Sequence, residues 1–362
     1  MENKIFNTPK KYILVTHFYA DGPAQFLNKY LIEKKASLLY VEHPFIFSNR
    51  NYSLYQNSLG RKLIVTKGKI FPRVEIVYYL KDFIATLIEG LKYKFDIGIG
   101  FDNLNTLALL VLKKINRINK VIYVTVDYTP IRFKNKLLNN IYHYIDRICC
   151  YNADILWDSA EVMEKAREKN GVRTEKIQNK LVVPDGNNFE KDKIQEYGNI
   201  EKYRLVYMGH VRDNQGISLL IETAIALHKK DKRINLVIVG GGELLDQFKS
   251  YVVRRRAGSF IKFTSYVTDH KQIEEILRRS YLGFALYEDS SESYSKYSAV
   301  GKPLVYAGCG LPVIITDVPE IAKKIDSYGA GKIVEYNKDA ISKTVEAIIK
   351  NKNIYMSAPR EA

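Results

Sequence analysis

The chain has 362 residues, enough for two domains with separate cores, and its 46% hydrophobic and 27% charged residues exclude a disordered, collagen-like or coiled-coil design. Of the formal charge of +16, twelve units lie in residues 1–150, where 23 basic side chains face 11 acidic ones. Such a basic half attracts nucleic acid, anionic lipid or a phosphorylated substrate alike, but no helix-turn-helix, RNP-type or zinc-finger pattern is present, so nucleic acid is left out of the expected partners.

No apolar run reaches the about 18 residues needed to span a bilayer, and the start MENKIFNTPKK has no signal-peptide core. A cytoplasmic protein is expected, peripheral at most on the inner face of the cell membrane. Three cysteines, two of them adjacent (Cys149, Cys150), fit neither a disulfide framework nor a metal spacing and are read as structural.

In chain order, Lys11 to Thr16 is a β-rich run, followed by the loop HFYADGPAQF and a helical pattern from Phe26 to Lys34. A loop with Gly22 and Pro23 after a first parallel strand is where doubly wound domains place ligand contacts, so His17 and Asp21 are cleft candidates. The plain alternative has Asp21 capping the helix and His17 packed at the strand end. Leu38 to Glu42 is the second strand, and Pro44 to Arg73 is basic and Tyr- and Asn-rich, with a hairpin expected across Gly60.

From Val77 to Leu91 apolar residues recur at helical spacing, with Lys81, Lys92 and Lys94 beside them. Such a helix suits contact with an anionic membrane, although packing on a sheet gives the same pattern and is the preferred reading. Strands at Ile97–Gly100 and Val121–Val126, joined by the helix Leu104–Lys114, continue the βα rhythm of a mostly parallel sheet. DYTPIRF then places Asp127 and Arg132 at a strand's carboxyl end. Asp127 is the first candidate for a catalytic or acceptor-orienting carboxylate; its plain roles are a helix cap or a partner of Arg132.

After LVVPDGNN (181–188) and a polar stretch, a second βα series opens with RLVYMGHVRDNQG. Here the strand Leu205–Met208 runs into Gly209, a loop with Arg212, and a helix from about Gly216. Small residues with an arginine suit an anion. The run NLVIVGGGELL, with Gly240, Gly241 and Gly242, resembles half of a dinucleotide fingerprint, but Glu243 departs from the full pattern. In FIKFTSYV the backbone of Tyr266 and Val267 is placed to meet a nucleobase edge. KPLVYAGCGLPVII (302–315) reads as a short helix, a turn and a buried strand, with Lys302 at the helix start as a phosphate ligand or, alternatively, as a surface lysine.

The series VYMGHVRDNQG, LVIVGGGELLDQF, FTSYV, FALYEDS and GKPLVYAGCGLPVI resembles the donor-binding domain of GT-B glycosyltransferases, most like family four. The first domain fits more loosely, with DYTPIRF and the Ala-Asp-Ile-Leu-Trp run similar to bacterial cell-surface polysaccharide transferases. The resemblance implies an α/β fold of two Rossmann-like doubly wound domains facing a central cleft. The expected divisions are an acceptor-side domain over 1–188, a linker over 189–203 and a nucleotide-sugar domain over 204–362. It also implies sugar transfer, with retention, from a UDP- or GDP-linked donor to a glycan or lipid-linked acceptor, with no separate cofactor and no metal.

Carried over by position, Gly209 matches the glycine whose amide approaches the donor diphosphate, and Arg212 the phosphate-binding arginine. The lysine that follows that arginine in the family is Gln215 here, with Lys302 placed to compensate. The ribose-holding glutamate is Val305; the other family glutamate falls on Tyr297, Glu292 or Glu288. An inverting reaction would need Asp127 or Asp21 as base. His17, Gly22 and Arg132 are expected on the acceptor side. The departures at Gln215 and Val305 motivate a second reading, a non-catalytic homologue acting as scaffold or partner subunit; a nucleotide-sugar epimerase is a third.

Overall fold

The structure, a computed structural model, describes residues 10–18, 22–45, 50, 52–59, 64–68, 75–184, 186, 199–212, 214–267, 269–290 and 293–351. Asp21, Gly60, Glu292 and most of the expected linker lie outside the described residues. The chain divides into two compact units, Met1–Pro184 and Asp185–Ala362.

The first unit opens with β1 (Lys11–Phe18), α1 (Pro23–Glu33) and β2 (Ser37–Pro44), then a hairpin of β3 (Ser53–Asn57) and β4 (Ile64–Gly68). It continues through α2 (Glu75–Leu91), β5 (Phe95–Phe101), α3 (Asn103–Lys114) and β6 (Ile118–Thr125). The last elements are α4 (Lys136–Asn152), β7 (Ile155–Asp158), α5 (Val162–Lys169) and β8 (Lys180–Val182). The sheet order is β4-β3-β2-β1-β5-β6-β7-β8, parallel except where β3 meets β2 and β4. Parallel strands are covered on both faces, and they show it: Tyr12 to Val15 of β1 and Leu38 to Val41 of β2 are buried without a break. The chain steps one way from β1 to β2 and the other way from β5 to β6. Right-handed crossovers therefore put α1 and α3 on opposite faces, and α3 packs between α2 and α4.

One fully buried cation ties this unit together. Arg167 of α5 donates through Nη1 to Asp158 at the end of β7 (2.6 Å), through Nε to Asp146 of α4 (3.2 Å) and through Nη2 to Thr125 of β6 (2.6 Å). Two carboxylates around one guanidinium leave no cation to spare, so the cluster reads as structural. Cys149 and Cys150 lie buried and free in the core of the same region.

The second unit runs β9 (Arg204–Met208), α6 (Ile217–Lys230), β10 (Asn235–Val239), α7 (Leu245–Arg254), β11 (Ile261–Ser265) and α8 (His270–Arg279). Then come β12 (Leu282–Ala285), α9 (Gly301–Gly308), β13 (Val313–Thr316), α10 (Ile321–Ser327), β14 (Gly331–Val334) and α11 (Lys338–Lys350). Its sheet is parallel, in the order β11-β10-β9-β12-β13-β14. Strand order reverses at β9, which has β10 on one side and β12 on the other, and α/β sheets open a ligand crevice at such a point.

Arg167→Met is expected to destabilise the first unit by roughly 3–5 kcal/mol, because it strands Asp146 and Asp158 without a counter-charge. Urea unfolding followed by the fluorescence of Trp157, the single tryptophan and a residue of β7, measures it.

Candidate active site

In the second unit the carboxyl ends of β9, β10 and β12 and the start of α9 converge. Gly209, just past β9, has φ +145°, a conformation that favours glycine, and a Cβ there would lie 3.1 Å from Lys302 Cε and 3.3 Å from the Tyr207 hydroxyl. Its N–H donates to the carbonyl of Val239 (2.9 Å), so this amide is held by the neighbouring strand end. The missing side chain at Gly209 leaves the space that Lys302 occupies.

The glycines after β10 serve a related purpose. A Cβ on Gly240 (φ +138°) would sit 2.0 Å from the Gly209 carbonyl oxygen. Val211 N–H donates to Gly241 O (2.9 Å) and Leu244 N–H to Val211 O (3.1 Å). Two loops thus press backbone to backbone, and the likeness to a dinucleotide fingerprint reflects that close approach. Tyr266, 73% exposed, sits beside Gly241 past the edge strand β11, and Val267 follows it.

Lys302 lies in the first turn of α9. That turn is fixed against the sheet by Tyr306 one turn further on, whose hydroxyl donates to Phe284 O (3.1 Å) and accepts from Met208 N–H (2.8 Å). The Lys302 ammonium lies 4.1 Å from the centre of the Tyr207 ring and 5.2 Å from that of Tyr287, and donates to Gln215 Oε1 (3.0 Å). Arg212 stacks its guanidinium 4.7 Å from the centre of the Tyr294 ring. Burial, with the nearby charge of Arg212 adding to it, pulls the Lys302 ammonium down to about 7.

Gln215 and Lys302 are therefore direct partners, and the partners named for both cations are neutral. Glu288, exposed past β12, acts electrostatically on Tyr336. Val305 packs its side chain into an apolar cluster.

In the first unit the crevice point falls at β1 and β5, where strand order reverses. His17 at the end of β1 has both ring nitrogens engaged: Nε2 lies 3.1 Å from Asp82 Oδ2, and Nδ1 3.0 Å from Asn105 Nδ2. Asn105 donates, so Nδ1 accepts and Nε2 carries the proton given to Asp82. Gly22 stands at the N-cap of α1, its N–H donating to Gln25 Oε1 (3.0 Å).

Asp127 and Arg132 follow β6, both exposed, and Arg132 lies 5.8 Å from the Phe45 ring centre. The Arg132 guanidinium feels the charges of both Asp127 and Asp102. Asp102 was passed over in the sequence. It sits directly past β5 with φ +67°, an unusual conformation for a residue with a side chain, and makes no cap hydrogen bond to α3. Burial pushes its carboxyl up, against the opposing pull of Arg132 and His17. The strand-end rule that singled out Asp127 would have found it in GFDN.

Residues 188–362 match the model of the family described as glycosyl transferases group 1. A sequence comparison with curated proteins gives no match. Among solved structures, the chain is similar to sucrose-phosphate synthase from Thermosynechococcus elongatus at a TM-score of 0.72 and 13% identity, covering 97% of this chain and 92% of that one. Anabaena HepE in complex with UDP and glucose is similar at a TM-score of 0.65 and 12% identity, over 97% and 93% of the two chains. An E. coli "Trehalose-6-phosphate" structure bound with UDP-2-fluoro glucose follows at 0.64 and 13%, over 96% and 93%. At these identities the likeness establishes the GT-B fold.

Below about pH 7 the Lys302 ammonium is charged before any anion arrives; above it, binding a diphosphate must bring a proton with it. Affinity for UDP is therefore expected to fall on raising the pH from 7.5 to 8.5, by up to about tenfold. Titration calorimetry in buffers of different ionisation enthalpy is expected to show the proton uptake, and Lys302→Met to abolish both effects.

Proposed function

For a chain whose residues 188–362 match the model of the group 1 glycosyl transferases and which has the GT-B fold, we propose transfer of a sugar from a UDP-linked donor to a lipid-linked glycan acceptor, with retention of configuration. The observation that carries this reading is the pair Arg212 and Lys302, two cations held by neutral partners at the strand-order reversal of the second unit. Negative charge grows on the departing diphosphate as the glycosidic bond breaks, and fixed cations at that position lower the barrier. The ligands in the two similar structures, UDP with glucose and UDP-2-fluoro glucose, favour uridine over guanosine as the base.

On the acceptor side, Arg132 supplies a guanidinium suited to a phosphate of a lipid-linked acceptor, and Asp102 and Asp127 supply carboxylates to orient the accepting hydroxyl. His17 supports this end of the sheet through Asp82 and Asn105 and is assigned a positioning role. Glu288 and the backbone of Tyr266 and Val267 stand at strand ends of the donor unit and are assigned to sugar and base respectively.

A second reading has one observation behind it. Val305, which stands where the family's ribose-holding glutamate is expected, packs as an apolar residue, as it would in a scaffold subunit that has lost its donor.

Thermal-shift titration with UDP and GDP separates the two readings, since a ligand bound only by the folded state raises its melting temperature. UDP is expected to stabilise the protein, GDP to do so less. Arg212→Ala and Lys302→Ala are each expected to weaken UDP by about tenfold or more, in line with about 1.5–3 kcal/mol for a hydrogen bond to a charged group. An absent shift with UDP and UDP-sugars at millimolar concentration would leave the scaffold reading in possession.

A further inference from the structure

Helix α2 is inside out. At about 100° per residue, Val77, Leu80, Ile84, Ile88 and Leu91 fall within an arc of about 80°. All five are 43–56% exposed. On the opposite side, Tyr78, Asp82, Thr86 and Gly90 are buried, Asp82 to 1% exposure and Thr86 to 0%. A helix that merely covers a sheet turns its aliphatic side inward, and this one does the reverse.

The buried polar side meets polar partners on the sheet and on the helix itself. Asp82 takes the ring nitrogens of His17 and His43 at 3.1 and 3.3 Å and the Lys81 ammonium at 2.6 Å, while Thr86 meets His43 Nε2 at 2.9 Å. The outward apolar stripe is thus no accident of a loosely packed helix, since the inner contacts fix its rotation.

The stripe has company. On α4, in the same helix layer, Leu137, Ile141 and Tyr144 are exposed at 68, 46 and 61%, again at helical spacing. Lys92 and Lys94 stand exposed with Tyr93 at the end of α2, and Lys134 and Lys136 at the start of α4. Aliphatic side chains bordered by lysines and tyrosines, in the half of the chain that holds twelve of the sixteen net charges, complement an anionic lipid surface. Among the described residues no helix is long and apolar enough to cross a membrane.

We propose that the outer face of α2, extended by α4, docks this protein on an anionic bilayer surface, with the aliphatic stripe entering the headgroup boundary and the lysines contacting anionic lipid. The inference stands independently of the donor assignment. It gives a reason for a lipid-linked acceptor: a chain held at the surface meets a substrate whose lipid never leaves it.

The test is co-sedimentation of the full chain with vesicles of phosphatidylglycerol mixed with phosphatidylcholine, against vesicles of phosphatidylcholine alone. Binding is expected to the first, weakening with salt, and little to the second. Ile84→Glu with Ile88→Glu is expected to reduce binding by more than about tenfold. Lys92→Gln with Lys94→Gln is expected to lower the preference for the anionic vesicles. Val253→Glu, which alters a 70% exposed aliphatic of the other unit, is expected to leave binding unchanged.

The stabilisation by UDP is expected to survive in every variant, which separates failure of docking from failure of the donor reading. Absent binding to the anionic vesicles, or unchanged binding by the Ile84/Ile88 variant, would overturn the proposal. So would a concentration-dependent dimer in analytical ultracentrifugation that the same variant abolishes while vesicles leave the wild type in solution; the stripe would then meet a second copy of the chain.

Discussion

Parallel strands buried on both faces have no room along their length for a polar side chain, and most of what is chemically distinctive in this molecule follows from that constraint. Apolar residues fill the strand bodies, so polar groups gather where the strands stop. His17 closes β1, Asp102 follows β5, Asp127 follows β6, and Asp158 ends β7. In the second unit Gly209, Gly240 and Tyr266 stand past β9, β10 and β11. The reversals in strand order then decide which of these ends lie apart far enough for a ligand.

Buried cations in this chain come in two kinds, and their partners tell them apart. Arg167 has two carboxylates and a threonine hydroxyl around it, and its charge is compensated within the fold. Lys302 has an amide oxygen and two aromatic rings, which lower the cost of enclosing an ammonium without neutralising it. A site of the first kind holds helices to strands. In the second kind the named partners are neutral and leave the charge uncompensated.

Much of this was legible in the sequence, because apolar runs, glycines and helix starts are local signals. The two βα series, the hairpin and the short helix beginning at Gly301 were readable in that way, as was the importance of Lys302 at its start. What was missed depended on partners far away in the chain. Gly240 to Gly242 resembled half of a dinucleotide fingerprint because a glycine that admits a phosphate and a glycine that admits another backbone look alike in sequence; the opposing backbone is 209–211. Asp102, between a strand and a helix, drew no notice, and it is its positive φ and its lack of a cap bond that distinguish it. The rotation of α2 was hidden for the same reason. Its inner side is polar because His17 and His43, from two different strands, are there to receive Asp82 and Thr86.

The departures at Gln215 and Val305 take on a different meaning once their surroundings are known. An ammonium at position 215 would lie close to that of Lys302, and at about 3 Å two like charges repel strongly in a half-buried site. Gln215 removes the conflict and offers its oxygen to Lys302, while its Nε2 lies 3.4 Å from the Tyr294 hydroxyl beside Arg212. Glutamine at 215 beside lysine at 302 thus leaves one ammonium here, at the helix start, where a second would conflict with it. Val305 lies one turn along from Lys302 on the same helix, where its side chain joins the core that holds α9 in place. A carboxylate at that point would neutralise the neighbouring ammonium and spoil the packing together. Gln215 and Val305 are thus consistent with each other: the one accepts from Lys302 without adding charge, and the other packs α9 without a carboxylate beside that ammonium.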